Sequence, residues 1–144
     1  MKTQSVGDQG EIQVCELVKC PNCLGELITL PKNFPMFDIQ CAKCMFRAQV
    51  KTVQNKPSST VRGAGWDIYE KVLKAGYLPP PLILNFKWKS GKFDDQEIRF
   101  YPFIPRINLK QTITSSLHRQ PNYKMFYYTG LDKIPYYVLH SKLH

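Results

Sequence analysis

The chain has 144 residues, 43% of them hydrophobic and 22% charged. This composition excludes a disordered or low-complexity protein and suits one domain, 1–144, with a real core. The net charge of +9, from 20 Lys+Arg against 11 Asp+Glu, excludes an acidic scaffold and points to a polyanionic partner, nucleic acid before membrane.

In chain order, residues 5–18 read as a first helix. Asp8 is the expected N-cap, with Glu11 three residues on in capping-box spacing. Cys15 falls among Ile12, Val14, Leu17 and Val18 and reads as a small core residue of that helix. Residues 19–52 hold two Cys-x-x-Cys pairs, Cys20-Pro-Asn-Cys23 and Cys41-Ala-Lys-Cys44, separated by 17 residues. That spacing is the zinc-ribbon pattern, in which each pair forms a knuckle aiming two thiolates at one ion. Four thiolates close a tetrahedral Zn²⁺ site with no open position, so the expected ion is structural.

Phe37–Gln40 and Met45–Lys51 are the expected strands of a hairpin around the second knuckle. Residues 53–65 read as a loop. Trp66–Lys74 is a second helix with Gly76 as its C-cap. Leu82–Phe86 reads as a buried strand, Ser90-Gly91-Lys92 as a turn and Ile98–Phe103 as a further strand. Residues 104–122 read as irregular or weakly helical, followed by strands at Lys124–Thr129 and Tyr136–His140. The N-terminus, Met1-Lys2-Thr3-Gln4-Ser5, is polar and shows no secretory h-region. No apolar run approaches the ~20 residues that cross a bilayer. The expectation is therefore reduced thiols, a cytoplasmic location and no membrane partner.

Alternation puts Gln49 and Lys51 on one face of their strand. If the Cys41–Cys44 knuckle is a simple hairpin end, Asp38 falls opposite Arg47, and Asp38, Gln49 and Lys51 share a patch. Phosphodiester hydrolysis calls for such a patch. A carboxylate holds a divalent ion such as Mg²⁺ or Mn²⁺, and a lysine ammonium stabilises developing negative charge. Gln49 would offer the ion a neutral oxygen. The competing account is a hairpin with a polar outer face, and Glu11 as a capping residue. His118, His140 and His144 show no paired ligand spacing.

These motifs reach a known family. Lys19-Cys20-Pro21-Asn22-Cys23, Phe37-Asp38-Ile39-Gln40-Cys41-Ala42-Lys43-Cys44, Gln49-Val50-Lys51-Thr52 and Ser58-Ser59-Thr60-Val61 resemble the DpnI-type restriction endonucleases and Dam-replacing proteins of the PD-(D/E)XK nuclease superfamily. Weaker similarity runs through Leu82–Phe86, Phe103-Ile104-Pro105 and Tyr128 to Leu139. The resemblance implies an α+β, restriction-endonuclease-like sheet flanked by helices, with a four-cysteine zinc ribbon inserted in the catalytic hairpin. It implies a Mg²⁺-dependent endodeoxyribonuclease in which Asp38, Gln49 and the Val50 carbonyl hold the catalytic ion and Lys51 is the catalytic lysine. Gly7-Asp8-Gln9-Gly10-Glu11 is similar to the superfamily's first-helix motif, so Glu11 would face the metal. Gln49 stands where the family has Glu. The family's methyl-adenine-reading winged helix has no room before His144, so any methylation preference would come from this domain or a partner.

DNA is the expected partner. Lys56, Ser58, Ser59, Thr60, Arg62, Arg106, Lys110 and Arg119 are its candidate contacts, mostly in loops or at strand ends. Cutting both strands with one site per chain would favour a homodimer. Two further readings come from other classes: a DNA-binding module that keeps the fold without cleavage, for which Gln49 argues, and a zinc-ribbon adaptor that binds protein, against which the charge argues.

Overall fold

The computed structural model describes residues 5–32, 34–63, 65–114 and 123–144. The chain is mixed α+β, with two helices of two or more turns, a six-stranded mixed sheet and a three-stranded antiparallel sheet among the described residues.

Helix α1 covers Val6–Leu17. Its N-cap is Ser5, whose hydroxyl accepts the Asp8 N–H at 3.1 Å, and not Asp8 as the sequence suggested. The physical reason is positional. Ser5 lies three residues ahead of Asp8, as a capping hydroxyl must, and Asp8 is left in the first turn, where its charge suits the helix dipole. Glu11 is thereby released from capping.

Strands β1 (Leu27–Thr29), β2 (Ile39–Cys41) and β3 (Arg47–Val53) form an antiparallel run. β3 then pairs in parallel with β5 (Leu82–Ser90), which forms a nine-pair hairpin with β6 (Phe93–Tyr101), and β9 (Tyr137–Lys142) closes the far edge. A parallel neighbour needs a crossover. Here it is made by β4 (Val61–Gly63) and helix α2 (Trp66–Lys74), between β3 and β5 in the chain. β4 pairs with β8 (Tyr123–Tyr128), and β8 with β7 (Leu109–Thr114), giving the small sheet.

Alternation on β3 divides the core. Ala48 and Val50, with Ile39, Ile83, Ile98 and Phe100, face Val14 and Val18 of α1. On the opposite face Leu82, Leu84 and Phe86 pack with Tyr69 and Leu73 of α2 and with Val61, Phe126 and Tyr128 of the small sheet. The large sheet thus carries α1 on one side and α2 with the small sheet on the other. A buried amide chain helps tie α1 down: Gln96 donates to Asn85 at 2.8 Å and Asn85 to Gln13 at 3.2 Å. Cys15 is half-buried against the α1-side core, as its neighbours in sequence suggested.

Two expected irregular segments contain strands, β4 within 53–65 and β7 within 104–122. Their partner is the late strand β8, so their order comes from long-range pairing that no local period announces. No helix among the described residues is long and apolar enough to cross a membrane.

Candidate functional site

The four cysteines come together. Cys20 and Cys44 Sγ lie 3.6 Å apart and Cys23 and Cys41 Sγ 3.4 Å apart, with all four sulfurs within 4.8 Å of one another. A tetrahedron with metal–sulfur bonds of about 2.3 Å has sulfur–sulfur edges near ~3.8 Å, so this set fits one ion. These separations are far beyond a bond of about 2.05 Å, and the thiols are free of disulfides.

The knuckles are built by backbone donors aimed at sulfur. Asn22 N–H reaches Cys20 Sγ at 3.3 Å, Lys43 N–H reaches Cys41 Sγ at 3.3 Å and Phe46 N–H reaches Cys44 Sγ at 3.4 Å. Such bonds stabilise thiolates and fix their direction. Gly25 closes the first knuckle. A Cβ there would stand 3.1 Å from Cys41 Sγ and 3.3 Å from Cys23 Sγ, so a side chain would crowd the cluster. The four residues could hold a metal such as zinc.

The second cluster gathers where β2 runs out. Pairing of Ile39 with Ala48 and Gln40 with Arg47 sets the hairpin register. Asp38 therefore does not stand opposite Arg47, because pairing closes at Cys41 N–H to the Phe46 carbonyl (2.9 Å), beyond the Cys44 knuckle residue. The longer turn slides Asp38 toward Val50, whose N–H donates to Asp38 Oδ2 at 2.8 Å. Gln49 N–H points to the Pro81 carbonyl on the β5 side. Backbone groups of successive strand residues point to opposite edges, so the Val50 N–H and carbonyl both open toward Asp38.

Helix α1 brings Glu11 to the same place. Its close approach depends on Gly10: a Cβ there would lie 1.7 Å from Thr52 Oγ1. Glu11 and Asp38 are within hydrogen-bonding reach. Burial first, then the Asp38 and Asp8 charges, push the Glu11 carboxyl up to about 7. Asp38 is also raised by burial, partly offset by the Val50 N–H and the Glu11 bond. Both carboxyls are thus held less acidic than free ones, Glu11 the more through the Asp38 charge.

Lys51 and Gln49 lie on the face of β3 away from Ala48 and Val50, half-buried, and join Glu11 and Asp38 in lining a cleft of about 380 Å³. Burial depresses the Lys51 ammonium pKa, Arg62 adds to that, and Asp38 opposes it. Gln49 Oε1 accepts the Tyr128 hydroxyl at 2.9 Å, and Tyr128 is bonded to the Tyr69 hydroxyl at 2.8 Å. Glu11 and Asp38 also line a neighbouring cavity of about 260 Å³ with Asp8 and Lys32, so they stand on the wall between two openings.

The proposed DNA contacts are scattered. Lys56, Ser58, Ser59 and Thr60 lie exposed in the loop before β4, where the Ser58 hydroxyl donates to the Thr60 carbonyl at 2.7 Å and the Ser59 carbonyl accepts the Leu131 N–H at 2.9 Å. Arg62 on β4 is exposed near Lys51 and touches Met125 Sδ at 3.3 Å. Lys110 is exposed on β7. Arg106 donates to the Leu73 carbonyl at the C-terminal end of α2, a structural use that draws it away from a ligand. Arg119 lies outside the described residues, as does His118.

Tyr69, Tyr128, Thr52 and Gly10 were not legible as site residues. Gly10 and Thr52 fall inside the quoted motifs, but nothing local showed that they meet. Compared with known proteins, the chain matches no family model and no curated protein by sequence.

Proposed function

We propose that this chain is a zinc-containing, restriction-endonuclease-like DNA endonuclease that hydrolyses phosphodiester bonds with a divalent ion. The observation that carries the reading is the Glu11–Asp38 pair. Two carboxyls from different elements are held against each other, with the Val50 N–H on Asp38 and Lys51 beside them, in a cleft of a strongly basic protein. Packing like charges together is costly, and a cation is the usual return.

Asp38, Glu11 and the Val50 carbonyl are the residues that would hold Mg²⁺ or Mn²⁺. Their donor set of hard oxygens suits those ions. When bound, such an ion polarises a phosphoryl oxygen and lowers the pKa of bound water. Lys51 supplies charge to the phosphate oxygens as negative charge builds, and its half-buried position strengthens that effect. The Val50 N–H fixes the Asp38 carboxylate, and Arg62 and Lys110 lie on the small sheet to attract the DNA backbone. The cysteine cluster, loaded with structural Zn²⁺, shapes the hairpin and takes no part in the chemistry.

One observation favours the alternative of a DNA-binding module without cleavage: Gln49 Oε1 is already taken by Tyr128. Incubation with methylated and unmethylated plasmid and Mg²⁺ or Mn²⁺ decides between the two. The expected result is cleavage that Asp38→Ala abolishes with zinc content intact and that Lys51→Ala slows by about 10²–10³-fold. Binding without cutting under every such condition establishes the module instead.

A further inference from the structure

The hydroxyl chain behind Gln49 has a fixed direction. Tyr69 is 2% exposed, and its hydroxyl has Tyr128 as its hydrogen-bond partner among the described residues. A buried hydroxyl whose proton finds no acceptor is costly. The Tyr69 proton therefore goes to Tyr128, and the Tyr128 proton must go onward to Gln49 Oε1. Reversing the chain would let Gln49 donate to Tyr128 and Tyr128 donate to Tyr69, and would strand the Tyr69 proton in the core.

The amide of Gln49 is thus held by its oxygen. Its NH₂ is the end left without a bond among the described residues, in a side chain that lines the cleft with Lys51 and Asp38. An N–H pair beside an ammonium attracts anionic oxygen and repels a cation. Oxygen coordination of an ion by Gln49, which the sequence suggested, would require the core to give up a hydrogen bond.

We propose that Gln49 binds substrate as a donor to a non-bridging oxygen of the phosphodiester, and that Tyr128, anchored by Tyr69, is the positioning residue that turns it. This deepens the nuclease reading and rests on the same cleft, but its test does not need cleavage.

The side-chain amide resonances of ¹⁵N-labelled, zinc-loaded protein are followed, with Gln49 assigned by its loss in Gln49→Leu. The probes are a short DNA duplex, diethyl phosphate and Mg²⁺, each added alone. The expected result is that the duplex and diethyl phosphate shift the Gln49 NH₂ strongly, and that Mg²⁺, held nearby by Asp38 and the Val50 carbonyl, moves it less. Mg²⁺ alone shifting it more than diethyl phosphate does, or saturating diethyl phosphate leaving it unmoved, overturns the proposal. If diethyl phosphate shifts it while the duplex fails to bind at all, the donor role stands and the DNA reading falls.

Affinity gives the second measurement. Gln49→Glu, in buffer without Mg²⁺, weakens duplex binding by about 10-fold or more, the worth of one hydrogen bond to a charged group. Unchanged or tighter binding overturns the donor role. Tyr69→Phe/Tyr128→Phe removes both hydroxyls, so no buried proton is stranded. In that double variant the amide can rotate, and Mg²⁺ alone now shifts the Gln49 resonance more than in wild type. The same response to Mg²⁺ as wild type removes Tyr128 from the positioning role.

Discussion

Gly10→Ala is the substitution that most directly tests how α1 sits on β3. The new Cβ would stand 1.7 Å from Thr52 Oγ1, 2.8 Å from Thr52 Cβ and 3.2 Å from Thr52 Cγ2. Rotation about χ1 moves the hydroxyl aside but leaves the Thr52 Cβ where it is. Carbon atoms in contact settle about 3.5–4.0 Å apart, so the helix must retreat by roughly 0.7–1.2 Å. Overpacking of this kind costs about 1–3 kcal/mol, and alanine's helix propensity returns about 0.8–1.0 kcal/mol. The net loss is up to ~2 kcal/mol, or a Tm lower by up to roughly 4–8 °C for a chain of this size. Glu11 moves with the helix, and a shift of about 1 Å at a reacting centre costs on the order of 10²-fold in rate. Gly7→Ala is the control, since a Cβ there meets only Ser5 Oγ at 3.8 Å. Thermal denaturation and plasmid cleavage are measured for both variants. If Gly10→Ala matches Gly7→Ala in both, α1 does not bear on Thr52 as described.

Metal analysis of the purified protein should give one Zn²⁺ per chain, and chelation should unfold the knuckle region, seen as lost amide-exchange protection at Cys20–Cys44. Stability should also depend on pH through Glu11. Its carboxyl is raised from 4.5 to about 7 on folding, so its contribution is full below the lower value and is lost as pH rises through the higher one. Without Mg²⁺, denaturation midpoints should fall from about pH 5 to about pH 8 more steeply in wild type than in Glu11→Gln, and Mg²⁺ should restore wild type at the upper end. Equal slopes would place Glu11 in water. DNA affinity should drop steeply across a salt series, and Arg62→Ala should flatten the log–log slope by about one phosphate contact.

The zinc motif and both helices were legible because their signals are local. Cys-x-x-Cys spacing and the run Trp66–Lys74 need no partner to be read, and the latter matches its helix end for end. Asp38, Gln49 and Lys51 were legible as a group because a strand alternates. Their register was not, because the turn extends to Phe46, a fact of knuckle geometry absent from the residue types. β4 and β7 escaped because each is ordered by β8. Tyr128 escaped for the same reason: 79 positions separate it from Gln49, and only the stacking of two sheets joins them.

The placing of the cysteine cluster has a consequence for the cleft. Asp38 enters β2, β2 ends in Cys41, and β3 leaves the second knuckle toward Gln49 and Lys51. An ion held by the four cysteines would therefore sit where a hairpin would otherwise rely on turn residues to count its pairs. β2 contributes only two paired positions to β3, Ile39 with Ala48 and Gln40 with Arg47, too few to hold alignment unaided. β3 is held by five pairs to β5, so a slip of one residue would exchange the two faces of β2, turning Ile39 out of the α1-side core and carrying Asp38 away from the cleft. Demetallation would then act as an all-or-none miscount of the strand, and partial zinc loading would yield a mixture of correctly and wrongly aligned molecules, with none of intermediate alignment.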